Sequence, residues 1–489
     1  MVEGMPPAPV RLLRVCVLFC LALQSALSVA AERPPNVIVI FTDDQGYADV
    51  GCFGAKGFRT PNLDRLAASG MRLTNFHVAQ PVCSASRAAL LTGCYPNRLG
   101  IHGALGPGAK TGLNPSETTI ARMLQARGYR TAHFGKWHLG DAPQFLPPAH
   151  GFEQSLCLPY SGDMWPGHPE ARPGAYPPLP LYENGKLLDA DVDSAEQETL
   201  TTRYAEAAVR FIQRNRADPF FLYLAPNQPH VPLFVSEKYR GKSKAGLYGD
   251  VIEEIDWAVG EVLKEVRRSG LEKDTLVIFS SDNGPWLSYG EHAGSAGILR
   301  EGKGTVFEGG IRVPGIVSWP GRIPEGTESE MFHMTIDVLP TLAEVTGAPL
   351  PKDIDGRSVW NVWRGRPEEH SAREAYFLYY HKNELHGVVS WPWKLLFPHQ
   401  SRTMGDQPKA VGGIPAKYRP LKITDPLLFH LEKDVSEQHD LYREIESASP
   451  QVLERLRALA DQARERMGDA LRGRPTGTAS RPPGQLEAR

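Results

Sequence analysis

The chain is predicted to be an α/β protein: a mainly parallel sheet flanked by helices, followed by a smaller C-terminal α+β domain. Three observations lead there. Short apolar, β-branched runs alternate with helical stretches between residues 36 and 345. Those runs are apolar throughout, as strands covered on both faces are. After about residue 366 the pattern changes to closely spaced short strands and one long amphipathic helix.

The first strand is 36–41, Asn-Val-Ile-Val-Ile-Phe, and it ends at Thr42-Asp43-Asp44. A helix is predicted at 61–69, with Pro61 at its start and Gly70 just beyond it. Another covers 84–91 and closes at Thr92-Gly93; a third covers 117–127 and stops at Gly128. Residues 129–134 read as a strand leading into Gly135. The stretch 141–193 is rich in Pro and Gly and is predicted to be long loops, the kind that carry function. Helices at 196–215 and 248–268 alternate with strands at 219–224 and 275–279. The last of these runs into Ser280-Ser281-Asp282-Asn283-Gly284. An apolar segment at 311–319 and a helix at 337–345 complete the first domain. The second has strands at 375–380, 387–390, 393–397 and 427–430, then a helix at 450–467. The predicted limits are 32–365 and 366–472, with a disordered tail of Pro, Gly, Ser and Arg at 473–489.

Bulk properties narrow the class. A chain of 489 residues has room for two domains. Apolar residues make up 41% and charged residues 22%, an ordinary soluble balance. A formal net charge of -2 gives no basis for nucleic-acid binding or for broad attraction to an acidic membrane. Residues 1–31 read as a cleaved secretory signal. Arg11 and Arg14 flank the start of the apolar run 15–23, and Ser28-Val29-Ala30 supplies small residues before Glu32. The run falls short of the ~20 residues a membrane span needs, so an exported protein with no stable span is expected. Cleavage removes Cys16 and Cys20 and leaves Cys52, Cys83, Cys94 and Cys157, too few for a disulfide scaffold.

Two pairs stand just past strand ends: Asp43-Asp44 and Asp282-Asn283. Ligands gather outside the carboxyl ends of parallel strands, and neighbouring strands would bring both pairs together. Three carboxylates and an amide oxygen suit a hard cation, calcium first and magnesium second. Zinc is disfavoured because no His lies within either pair. Each pair alone could equally be turn chemistry. The segment Pro81-Val82-Cys83-Ser84-Ala85-Ser86-Arg87 opens a helix, where backbone N–H groups favour an anion. Arg87 lies one turn beyond Cys83 on the same face. A small buried cysteine, or a thiolate activated by a nearby cation, is compatible with the same residues.

Cys83-Ser84-Ala85-Ser86-Arg87, followed by Ala88-Ala89-Leu90-Leu91-Thr92-Gly93, resembles the modification motif of the type I, formylglycine-dependent sulfatases. Five further segments resemble that family's signatures and follow its order. They are Asp43-Asp44-Gln45-Gly46, Gly135-Lys136-Trp137-His138-Leu139-Gly140, Asp282-Asn283-Gly284, Gly302-Lys303-Gly304 with Glu308-Gly309-Gly310, and residues 429–441 with Asp434 and His439-Asp440. The similarity spans about 34–465 and is nearest the arylsulfatase A and N-acetylgalactosamine-6-sulfatase branch. One departure is Ala85, where the usual motif has proline.

The resemblance implies an alkaline-phosphatase-like fold and hydrolysis of sulfate esters, with Ca2+ and a formylglycine (3-oxoalanine) made from Cys83 by a maturation enzyme. It implies that Asp43, Asp44, Asp282 and Asn283 hold calcium together with the converted Cys83. Arg87 and Lys136 would orient the aldehyde hydrate, and His138 would be the base that triggers sulfate release. His230 and Lys303 would grip sulfate and protonate the leaving oxygen, and Ser161 would lie near the sulfated residue. The expected substrate is a sulfated small molecule or carbohydrate. Trp165, His168 and Tyr176 in the Pro/Gly-rich stretch are able to stack on and hydrogen-bond a sugar. Two rivals are a phosphonate or phosphodiester hydrolase on the same scaffold and a sulfated-glycan binding protein whose Cys83 is never converted.

Overall fold

The run Asn-Val-Ile-Val-Ile-Phe-Thr forms a central strand because each of its faces meets a separate apolar layer. Val37, Val39 and Phe41 point into one core with the helix that begins at Cys83; Ile38 and Ile40 point into another, with Leu200–Asn215 and Gly246–Arg268. All five side chains are at most 1% exposed, and each contributes about 1.5–3 kcal/mol on burial. The computed structural model describes Met1, Gly4 and residues 33–369, 373–408 and 410–486. Apart from Met1 and Gly4, the predicted signal segment 1–31 lies outside the described residues.

The large sheet has ten strands. In chain order they are β1 (Asn36–Thr42), β2 (Met71–Leu73), β3 (Arg130–Lys136), β4 (Gln154–Leu158), β5 (Leu181–Glu183), β6 (Lys186–Asp189), β7 (Phe220–Ala225), β8 (Thr275–Ser281), β9 (Gly315–Ser318) and β10 (Thr327–Ser329). Their spatial order is β10-β2-β9-β8-β1-β7-β3-β4-β5-β6. The five strands from β8 to β4 are parallel, while β9 joins β8 and β5 joins β4 antiparallel. Helices α1 (Cys83–Thr92), α2 (Leu200–Asn215) and α3 (Gly246–Arg268) cover the faces.

Register decides where the chemistry meets. Thr42 of β1 pairs with Ser281 of β8, so Asp43 and Asp282 leave neighbouring strands at the same level. The Asp282 N–H donates to the Thr42 carbonyl at 3.1 Å.

The second sheet is an antiparallel set of Tyr376–Tyr380, Glu384–Ser390, Trp393–Leu396 and Leu427–His430. Leu453, Leu456, Leu459 and Ala460 of α4 (Pro450–Met467) are buried in the core it shares. Asp440 accepts from the Leu428 and Tyr442 amides, and Asp434 from those of Gln438 and His439. Both acids of that motif therefore fix turns.

Two expectations are corrected. The stretch 141–193 is not all loop: it supplies β4 and the hairpin β5–β6. The hairpin turns at Asn184-Gly185, with φ of 50° and 77°, a strong local signal in an otherwise loop-like composition. The tail from Gly473 is not disordered over 473–486. Gly484–Gln485 pairs with Thr111–Gly112, and Arg481 forms an ion pair with Glu117 at 2.7 Å. Its composition cannot build a core alone, but tertiary backbone bonds order it. Among the described residues Cys52, Cys83, Cys94 and Cys157 are free thiols, and no helix is long and apolar enough to cross a membrane.

Candidate active site

The sequence-predicted residues converge beyond the carboxyl ends of the parallel strands. Val82 is extended and Cys83 is the first residue of α1, so Cys83 stands at the helix N-terminus and Arg87 follows one turn on. Lys136 ends β3. The preceding Gly135, at φ 126°, lies so close to β7 that a Cβ would sit 1.8 Å from the Ala225 carbonyl oxygen. Only glycine fits that approach. His138 has φ 59°, uncommon for a residue with a side chain and frequent at functional sites. His230 lies on the segment after β7, and Lys303 on the one after β8. The Gly304 amide donates to the Pro81 carbonyl at 3.0 Å, tying the lysine loop to the approach to Cys83.

Lys303 Nζ is the hub. It lies 2.9 Å from Asp44 Oδ2, 3.0 Å from His230 Nε2 and 3.4 Å from Cys83 Sγ. Lys136 Nζ donates to Asp43 Oδ2 at 2.6 Å and to Ser161 Oγ at 3.1 Å. Arg87 grips Asp282 Oδ2 through Nη2 and Nε, at 2.8 and 3.0 Å, and stands 3.6 Å from Asp43. Asn283 Nδ2 donates to Asp44 Oδ1 at 2.7 Å, and the Asp44 amide donates to Asp282 Oδ1 at 3.1 Å. His138 Nε2 lies 2.9 Å from the Leu105 carbonyl. A carbonyl only accepts, so Nε2 carries the proton and Nδ1 keeps a lone pair. That Nδ1 is buried without a hydrogen bond.

Burial and paired charge set the protonation states. Burial pushes the Cys83 thiol well up, although Lys136 and Lys303 pull it down. An unmodified Cys83 is therefore a poor thiolate at neutral pH, against the thiolate reading. Burial works against the charge on Lys303, yet Asp44 holds its pKa well above the usual value. Lys136 is likewise raised: burial opposes its charge, and Asp43 prevails. Burial would raise Asp43, but Lys136, His230 and Arg87 hold it below the usual range. Asp282 is raised by burial and by the Asp43 charge, against Arg87. Burial, then Lys136 and Arg87, push His138 well below its usual value, leaving a neutral imidazole.

The donor set fits a hard cation. Asp43 Oδ1 and Asn283 Oδ1 are buried oxygens without a hydrogen bond. One ligand atom each from Asp43, Asp44, Cys83 and His230 lies within 4.8 Å of all the others. The carboxylates of Asp43, Asp44 and Asp282 are balanced by Arg87, Lys136 and Lys303. A dication held there would leave the site positive, which suits an anionic ester.

Two neighbours were not foreseen. Trp286 stands under Lys303, 4.4 Å from Nζ to the ring centroid, and against His230, with centroids 5.5 Å apart. It follows Asp282-Asn283-Gly284-Pro285 directly, which was the available hint. Asp163 is held low against burial, chiefly by His230 and a hydrogen bond from Ser161. In the Pro/Gly-rich stretch, the Trp165 ring packs edge-on against Phe234. His150 packs on Trp137 and His333 on Phe76; both are buried core histidines.

Comparison with known proteins identifies the family over most of the described residues. The family model described as Sulfatase matches residues 35–348, and the C-terminal region of aryl-sulfatase matches 371–474. Arylsulfatase A of Homo sapiens is 40% identical over 460 residues, covering 90% of this chain and 89% of that protein. N-acetylgalactosamine-6-sulfatase of Rattus norvegicus is 34% identical, covering 89% and 87%. Among solved structures, the PsFucS1 sulfatase from Pseudoalteromonas sp. superposes with a TM-score of 0.79 at 28% identity, covering 94% and 95%.

Proposed function

The chain belongs to the sulfatase family and is a sulfatase enzyme, and from that premise we propose that it hydrolyses sulfate esters of a carbohydrate with a formylglycine at position 83 and one calcium ion. The observation that carries the reading is the contact of Lys303 Nζ with Asp44, Cys83 and His230 at once. It supports the reading because Cys83, the acidic cluster, Lys303 and His230 belong to one hydrogen-bonded set.

Asp43, Asp44, Asp282 and Asn283 would hold calcium with the converted side chain at 83, and calcium supplies positive charge that favours an oxyanion nucleophile and shields sulfate oxygens. Formylglycine would supply, as its hydrate, two hydroxyls on one carbon, one for attack at sulfur and one able to give up a proton as sulfate leaves. Arg87 and Lys136, both fully buried, fix the orientation of residue 83. His138 accepts the proton at Nδ1, because Nε2–H is committed to Leu105. Lys303 and His230 bind the sulfate and neutralise the leaving oxygen. Ser161, which accepts from Lys136 at 3.1 Å, would lie near the sulfated residue.

A sulfated sugar is favoured because one relative is by name an N-acetylgalactosamine-6-sulfatase. The polar segment around Ser161–Tyr176 borders the site, with Asp163, His168 and Tyr176 electrostatically linked. Export after cleavage near residue 31 would put the enzyme where such polymers occur. The test is direct. Protein made with a maturation enzyme should carry an aldehyde at 83 that reacts with hydrazides, and should release free sulfate from a panel of sulfated sugars. Active protein with a fully alkylatable Cys83 would end the formylglycine reading. Faster turnover of an aryl phosphonate than of any sulfate ester would favour the phosphonate hydrolase instead. Protein whose Cys83 stays a thiol beside a competent maturation enzyme, and which binds sulfated sugars but turns over none, would favour a binding role.

A further inference from the structure

His138 owes its orientation to one backbone carbonyl, and that carbonyl belongs to a segment with little secondary structure of its own. Leu105 accepts from His138 Nε2 through its oxygen at 2.9 Å and donates its N–H to Ser84 Oγ at 3.0 Å. It therefore bridges the imidazole to the helix turn that carries Cys83. Around Leu105 the chain runs through Gly103, Gly106 and Gly108, with no strand until Thr111–Gly112. A segment of this kind needs anchoring from outside.

Asp141 accepts from the Gly108 amide at 2.6 Å, and the C-terminal strap 481–486 anchors the segment at both ends. On one side of Leu105, the Arg481 amide donates to the Arg98 carbonyl at 2.7 Å, and Pro483 lies against Gly100. On the other side, Gly484–Gln485 pairs with Thr111–Gly112, and the Leu486 amide donates to the Lys110 carbonyl at 3.0 Å. Arg481 then reaches past both, pairing with Glu117 through Nε and Nη2 at 2.8 and 2.7 Å. The strap also backs the signature that holds His138. A Cβ on Gly484 would lie 2.6 Å from the Phe145 ring. The Phe145 carbonyl accepts from the Trp137 indole at 2.6 Å, and Leu113 donates to the Leu139 carbonyl at 2.9 Å. The strap thus lies against Phe145 and Leu113, two of the residues that hold 137–139.

We propose that the C-terminal strap 481–486, with Arg481 as its positioning residue, holds the Leu105 carbonyl in place and so sets the His138 imidazole for catalysis. The inference rests on the role proposed above for His138. Arg481 is partly exposed, so its pair with Glu117 adds little to global stability. Its loss should appear in geometry before it appears in folding.

The experiment uses the full-length mature enzyme, Arg481→Ala, and a chain ending at Ser480, each also in a His138→Ala background. Hydrogen exchange should show lost protection over 105–113 in both strap variants. On an aryl sulfate, kcat should fall about tenfold with KM changed by less than about twofold, as expected for a misplaced proton acceptor. In the His138→Ala background the same changes should have no further effect, and Arg481→Lys should restore part of the rate. Unchanged exchange over 105–113 overturns the clamp. An equal fall in both backgrounds overturns its action through His138. A parent enzyme that releases no sulfate from any ester instead fails the sulfatase reading, and the exchange measurement then decides the clamp alone.

Discussion

Replacing Lys394 by Met should weaken the protein in a way that acid partly repairs. Lys394 lies in the strand Trp393–Leu396, and its side chain is fully buried. Its Nζ stands 2.9 Å from Glu308 Oε1 and 2.8 Å from Glu437 Oε1, with His77 and Arg312 also on Glu308. Removing it leaves two buried carboxylates facing each other with one cation fewer. Breaking such a pair costs about 3–5 kcal/mol. For a unit spanning Pro35–Arg489 the unfolding entropy is about 1 kcal/mol/K, so the apparent melting midpoint should drop by about 3–5 °C at neutral pH. Burial already pushes Glu437 up to about 7 against Lys394, so it is the carboxyl that takes up a proton. Without Lys394 that pKa climbs further, and the native variant binds more protons than the native parent. The gap between them must therefore shrink as pH falls, by up to about 1.4 kcal/mol per pH unit for each extra proton bound. Thermal midpoints of both proteins, at about pH 8 and about pH 5.5, measure it. A gap that stays constant or widens on acidification would refute the reasoning.

Asp282→Ala should weaken calcium binding by about tenfold or more, read by calorimetry on chelated and reloaded protein, since it deletes one of three carboxylates. Undiminished affinity would exclude Asp282 from the ion's ligands. Lys303→Ala should lower kcat on sugar and aryl sulfates alike by about 10²–10³-fold, because it removes the cation that meets Asp44, Cys83 and His230. Trp165→Ala, by contrast, should reduce turnover of a sulfated sugar more than of a small aryl sulfate. Equal losses on the two substrates would remove the Trp165 loop from substrate recognition.

The difference between what was legible and what was not follows from the range of each signal. Asp43 and Asp282 could be brought together from sequence because two fully apolar runs identify parallel strands, and parallel strands deliver their ends to one edge. The register that sets Thr42 beside Ser281 adds detail to a meeting that topology already required. Cys83 and Arg87 were legible for a local reason, one turn of helix. Trp286 was missed because stacking under Lys303 depends on how two loops fold back, which no period in the sequence records. The tail was misread for a related reason: Pro, Gly and Arg predict no core, and composition is silent on backbone pairing with Thr111–Gly112. Lys394 is the most instructive residue. Trp393-Lys394-Leu395-Leu396 is a short strand with one charge among apolar neighbours, and a lone lysine is ordinarily solvated. Burial of that charge demands partners, and both partners are acids from distant segments. One of them, Glu308, starts the helical turn that follows the Lys303 loop. A charge misplaced by local pattern thus marks the point where the smaller sheet is locked to the segment after Lys303, and the sequence carries that mark without naming its partner.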